Sequence, residues 1–249
     1  MKSQIKRIIW APYAYLIDFC LFLLPFQMLM EDIFVHLELN NDHQVLDAGS
    51  GTGNICRFVW HKVNGQIKLT GVDFSLAMLK RAKKKCRAEV IHFEQADLNK
   101  SLPFPNNFFD AIFSCHVLYN LSDPHFTVAE FQRVLKPRGR LVIVTPQTNN
   151  PANVLAEHFS MIWRQSNWKC LAKTILLLPL IFCLGLYNLL LSWQSTKTKD
   201  HFFNENELKE LLQAKGFASI RTKTAYANVD ILACCQKEQE VKNASSGEN

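Results

Sequence analysis

The chain lacks any pair of cysteines spaced C-x-x-C. Its eight cysteines are scattered, mostly inside apolar runs, so neither zinc-ligand spacing nor a disulfide framework is present, and no metal site is expected. A reducing, cytoplasmic setting fits that usage. Aromatic residues are not interleaved with the basic runs, which argues against a nucleic-acid partner. The charge of +6 gathers instead in Lys80, Arg81, Lys83, Lys84, Lys85 and Arg87, the pattern of a solvated helix face. Internal repeats are absent too. At 249 residues the chain has room for one α/β domain with a substantial core and an appendage, and two full domains would be a squeeze.

Two nucleotide-binding patterns are also missing. The dinucleotide fingerprint G-x-G-x-x-G fails because its third glycine falls at Asn54, and no Gly-Lys-Ser/Thr follows to make a phosphate loop. What stands there is Gln44-Val45-Leu46-Asp47-Ala48-Gly49-Ser50-Gly51-Thr52-Gly53-Asn54, a buried strand running into a glycine-rich turn that opens a helix. Gly49, Gly51 and Gly53 can adopt angles closed to other residues and carry no side chain to keep a ligand off the backbone. The helix start adds unpaired N–H groups.

Four further segments follow in order. Ile67-Lys68-Leu69-Thr70-Gly71-Val72 ends in Asp73, at about the 20-residue offset where a carboxylate reaches ribose hydroxyls in a βαβ unit. A strand from Glu89 to Glu94 leads to Gln95-Ala96-Asp97-Leu98. Then come Phe108-Phe109-Asp110-Ala111-Ile112-Phe113-Ser114-Cys115-His116 and Leu135-Lys136-Pro137-Arg138-Gly139-Arg140-Leu141-Val142. Together with the Asp-x-Gly-x-Gly-x-Gly turn, these resemble the class I S-adenosylmethionine-dependent methyltransferases over residues 42–146, and weakly again over 201–235. The resemblance implies a Rossmann-like α/β sheet, mostly parallel with an antiparallel last strand. It also implies S-adenosylmethionine as cofactor, bound by Asp47, Gly49, Ser50, Gly51, Gly53, Asp73, Phe74, Asp97, Leu98 and Ser114. Asp73 would take the ribose hydroxyls, and Asp97 the adenine amine with Leu98 over the ring. Asp47 either meets the cofactor's amino group or caps amides of its own turn. His116 and Tyr119, at the strand edge where ligands bind α/β sheets, are the candidate catalytic groups.

Composition divides the chain into an apolar helical segment (1–40), the cofactor-binding core (41–147), an apolar helical insertion after the fifth strand (148–200), the rest of the fold (201–236) and a polar tail (237–249) expected to be disordered. The insertion carries no charge from 174 to 196, but Pro179, Gly185 and Asn188 interrupt it. A simple crossing would strand the last two strands, near 217–222 and 228–234, beyond the bilayer. The insertion therefore either lies in, or re-enters from, the cytoplasmic face of a membrane, or packs on 8–30 as a buried lid. The expected function is methyl transfer to an amphipathic or lipid-like acceptor, such as a phospholipid headgroup or quinone precursor, at a membrane surface. The alternatives are a soluble metabolite under a lid, or a scaffold that binds the cofactor without turnover.

Overall fold

A computed structural model of the chain describes residues 14–147, 152–164 and 201–239, with scattered helical positions between 172 and 186. Strands β1 (Gln44–Ala48), β2 (Lys68–Asp73), β3 (Ile91–Gln95), β4 (Phe109–Cys115), β5 (Leu135–Pro146), β6 (Phe217–Ala225) and β7 (Asp230–Lys237) form one seven-stranded sheet. Its order is β3-β2-β1-β4-β5-β7-β6. Neighbours from β3 to β5 pair in parallel, and β7 alone runs antiparallel to both β5 and β6. This is the expected sheet, down to the reversed last strand.

The six described helices are α1 (Leu24–Leu37), α2 (Asn54–Lys62), α3 (Leu76–Lys85), α4 (Pro124–Val134), α5 (Ala152–Arg164) and α6 (Glu205–Ala214). Alternate strand residues serve opposite faces. Val45, Phe113, Val142 and Leu232 pack with α1, α2 and α3, whereas Leu46, Ile112, Leu141 and Phe217 pack with α4 and α6. Local chemistry sets the helix starts: Ser75 and Asp123 accept from Met78 N and Phe126 N, and Asn204 with Glu207 forms the expected reciprocal capping box. Gly216, at φ 77°, follows the end of α6.

Two readings from composition change. The apolar stretch from residue 24 onward gives one face to the core, because Phe26, Leu29, Met30, Ile33 and Leu37, at helical spacing, bury it against the sheet, while Met28 and Val35 stay exposed. The tail also begins later than position 237: Lys237 closes β7, with its ammonium donating to Asn107 Oδ1 (2.7 Å) and Leu135 O (2.9 Å).

The insertion is joined to α1. His158 of α5 is buried; its Nδ1 accepts from Leu24 N at 3.1 Å, which leaves Nε2 to carry the proton toward Thr174 Oγ1 at 2.9 Å. Trp163, Leu176 and Phe182 nevertheless stand 79%, 79% and 67% exposed. Among the described residues no helix is long and apolar enough to cross a membrane. Trp168, Tyr187, Trp193 and the flanking Lys169, Lys173, Lys197 and Lys199 lie outside the described residues.

Because Ile33 is only 1% exposed beneath the sheet, Ile33→Ala is expected to cost about 2–5 kcal/mol of folding free energy. Urea unfolding should show a lower midpoint with an unchanged slope; an unmoved midpoint would mean that α1 is a detachable attachment.

Candidate active site

Strands β1 and β4 are neighbours from which the chain departs in opposite directions, and such a reversal opens a crevice at their C-terminal ends. The glycine turn lies there. Gly49, Gly51 and Gly53 all have left-handed φ (92°, 52° and 76°), and the amides of Gly49 and Ser50 both donate to Val72 O at 2.8 Å, tying the turn to the end of β2. A Cβ added at Gly49 would lie 2.2 Å from Val117, so that glycine serves packing. A Cβ at Gly51 would meet nothing within 4 Å, so Gly51 borders open space. Ser50 adds a buried hydroxyl without a partner there.

Two carboxylates lie at or next to the C-terminal ends of the adjacent strands. Asp47 is 2% exposed and accepts from Cys56 Sγ at 3.1 Å; the structure does not show it capping amides of its own turn. Burial, helped by the neighbouring Asp73, pushes its pKa up to about 7 against the lowering by Cys56. Asp73 accepts from Ser75 N (2.8 Å) and Gly51 N (2.9 Å). Burial still raises its pKa to about 6, the two amides opposing it. A carboxylate has about four acceptor sites, so Asp73 can hold the turn and still accept ribose hydroxyls.

The remaining expected cofactor residues divide. Phe74 is half-buried at the mouth, with its carbonyl accepting from Gln95 Nε2 at 2.8 Å. Asp97 is exposed and folds back on Asn99, accepting from its amide (3.1 Å) and its side chain (2.9 Å). Leu98 is buried in the core on the α4 side. Ser114 is buried, and its hydroxyl donates to Ala48 O at 2.8 Å, joining β4 to β1.

His116 follows β4 with left-handed φ of 57°, costly for a residue with a Cβ. Its Nε2 lies 2.6 Å from Asp230 Oδ2, whose side chain is 1% exposed. Burial acts to lower the imidazole's pKa, but Cys115 and Asp230 outweigh it and raise it well above the ordinary histidine value. Tyr226 is its ring neighbour at 5.4 Å, whereas Tyr119 stacks on Phe202 at 5.9 Å. The two catalytic candidates are thus not brought together. Asp230 and Tyr226 escaped the sequence reading; a lone charge opening the apolar run Ile231-Leu232-Ala233-Cys234 was the available signal.

The N-terminal segment closes over the turn through Asp18, in a 3-10 helix at Ile17–Phe22. Asp18 accepts from Thr52 Oγ1 and Lys85 Nζ (2.6 Å each) and from Arg81 Nε (2.8 Å). Arg81 also sits 4.6 Å over the Tyr15 ring. Two of the six clustered cations of α3 and its surroundings therefore hold a lid rather than face only solvent.

Residues 46–143 match the family described as "Methyltransferase domain". A ubiquinone/menaquinone biosynthesis C-methyltransferase UbiE of Desulfotalea psychrophila is 41% identical over 109 residues, 43% of this chain and 44% of that protein. A demethylmenaquinone methyltransferase of Chlamydia pneumoniae is 36% identical over 107 residues, 43% and 45% of the two chains. The chain thus aligns with under half the length of these curated relatives. A solved S-adenosylmethionine-dependent methyltransferase from Mesorhizobium loti superposes with a TM-score of 0.59 at 18% identity, over 83% of this chain and 96% of that one. Residues 46–143 thus carry the methyltransferase-domain match, and this sheet order and turn resemble those of the class I S-adenosylmethionine-dependent methyltransferases. The curated relatives named here carry quinone-methylating names.

Removing the Asp18 carboxylate in Asp18→Ala leaves Arg81 and Lys85 facing each other, and the loss of a hydrogen bond to charged groups costs about 1.5–3 kcal/mol. Limited proteolysis should then cut near residues 14–23 sooner than in the parent; equal cleavage rates would show that Asp18 does not fasten the lid.

Proposed function

We propose that the protein transfers the methyl group of S-adenosylmethionine to an amphipathic acceptor of the quinone-precursor kind, taken up at a membrane surface. The observation that carries the cofactor half is the pair of buried carboxylates, paired with no cation among the described residues, beside the open space at Gly51. A ligand bearing an ammonium, two ribose hydroxyls and no bulk against the turn fits what those residues leave unfilled, and Ser50 Oγ supplies one further polar contact. When bound, the sulfonium supplies an activated methyl group on a good leaving group. The chain's own work is positioning and exclusion of water. Asp73 holds the ribose, Asp47 meets the amino group, Gly51 lets the backbone approach, and the Asp18 clamp keeps solvent out.

The acceptor half rests on the printed names of the relatives and on the exposed apolar face of Trp163, Leu176 and Phe182. In the sequence, Lys169, Lys173, Lys197 and Lys199 flank the apolar stretch that holds Leu176 and Phe182. A second reading, a soluble acceptor beneath a lid, is favoured by one observation: α5 is pinned to α1 through His158. Flotation with anionic vesicles decides between them. The protein is expected to float, and Leu176→Glu with Phe182→Glu to release it while leaving cofactor affinity within about two-fold; a parent that stays at the bottom supports the lid.

Calorimetry with the demethylated product, S-adenosylhomocysteine, tests the cofactor half. Gly51→Val should abolish binding, since the side chain enters the ligand's space and the left-handed φ disfavours it. The pH dependence has a definite sign. Asp47 and Asp73, raised to about 7 and about 6 in the free protein, must ionise to hold an ammonium and to accept hydroxyls. Binding should therefore release protons, and affinity should rise as pH rises through 6–7 and level off above. In Asp47→Asn the proton release near pH 7 should vanish; if it persists, Asp47 does not meet the amino group.

A further inference from the structure

We propose that His116 and Asp230 form the acceptor subsite: the imidazole, fixed at Nε2 by Asp230, presents its other ring N–H to an ionisable hydroxyl of an aromatic acceptor, with Asp230 as the positioning residue. The proposal rests on the methyltransferase reading above.

The first support is placement. Strand β4 is still in register when it reaches His116, whose amide donates to Val144 O at 2.9 Å. There φ turns left-handed and the side chain reaches across the end of β5 to Asp230, which pairs with Pro146 at the start of β7. The next residue, Val117, packs against Gly49 of the cofactor turn. One residue therefore separates His116 from the wall of the cofactor crevice in sequence, and its side chain remains 32% exposed.

The second support is backbone strain in the segments on either side of the pair. Besides His116, the turn between β6 and β7 holds three successive non-glycine residues at left-handed φ, Tyr226 (48°), Ala227 (60°) and Asn228 (59°). Such angles persist where surrounding structure over-determines them, and they cluster at ligand sites. Here they bring the Tyr226 ring against His116 and set Asp230 opposite it.

The third support is the character of the walls. Tyr226 meets Phe26 of α1 edge-on at 6.1 Å, and Cys20 of the 3-10 segment is buried close by. The walls formed by Tyr226, Phe26 and Cys20 are apolar and aromatic. The charged and titratable neighbours of His116 are Asp230 from β7, Cys115 from β4, Tyr226, and Cys20 with Asp18 beyond it. Only Asp230 makes a carboxylate bond to the ring, and a thiol is a weak partner that an incoming oxygen displaces. An imidazolium in such walls fits a flat apolar ring with an acidic hydroxyl. By stabilising the oxyanion it favours the form of the acceptor whose electron pair attacks a methyl group.

The test is anaerobic calorimetry of 1,4-naphthohydroquinone with the full chain saturated by S-adenosylhomocysteine, for the parent, His116→Gln and Asp230→Asn. The product's own affinity, within two-fold of the parent, certifies that each variant is folded. The parent should bind the hydroquinone and His116→Gln should lose at least ten-fold. In Asp230→Asn, whose imidazole returns toward the ordinary value of about 6.5, the pH at which affinity declines should move to lower pH. Equal affinity in His116→Gln, superimposed pH profiles in Asp230→Asn, or no hydroquinone binding by the parent overturns the proposal. Failure of the parent to bind S-adenosylhomocysteine overturns the methyltransferase reading instead.

Discussion

Parallel neighbours β1 and β2 each carry a buried carboxylate at or next to their C-terminal ends, and among the described residues no cation is paired with Asp47 or Asp73. Everything at this end of the molecule answers that arrangement. The turn amide of Gly51 and the amide of Ser75 neutralise part of Asp73, and the Cys56 thiol leans on Asp47. The remaining desolvation is left standing, which is unfavourable for a protein alone and favourable for one that binds a cation. Gly71 belongs to the same constraint. A side chain there would collide with Phe93 and Ser50, pushing β2 and the turn apart and separating the carboxylates from their amides.

The N-terminal segment is fastened at two points of different chemistry. Asp18 draws in Thr52, Arg81 and Lys85 at the front of the turn, while Leu24 N and His158 join α1 to the insertion behind it. The first is an ionic cluster near solvent. The second needs a neutral imidazole, and burial accordingly lowers the pKa of His158. As pH falls below the ordinary histidine value this second fastening weakens, while the first persists until Asp18, whose pKa is depressed by Lys85, Thr52 and Arg81 against the opposing effect of burial, takes up a proton.

Much of this was legible in the chain. Alternation of apolar strands and capped helices gave the sheet, and the glycine turn with Asp73 located the crevice, because those signals are local and periodic. What was not legible depends on contacts distant in sequence. Nothing near Asp18 in the sequence shows that Arg81 and Lys85 will meet it. Asp230 read as one polar residue in a strand, its partner His116 lying 114 positions earlier. The run from 24 to 37 read as a surplus of apolar surface, because composition cannot tell which face of a sheet remains uncovered. Leu98 and Ser114 sit in the right motifs, yet their side chains serve packing and the β1–β4 junction.

The reversed strand β7 has a consequence for the order of assembly. It is inserted between β5 and β6, so the sheet cannot be completed until the final forty or so residues of the described chain have left the ribosome and docked as a hairpin. The glycine turn, by contrast, needs only the first four strands. The carboxylate that steadies His116 lies on β7, so that bond forms only after the hairpin has docked, whereas the residues that tie down the glycine turn all precede β5.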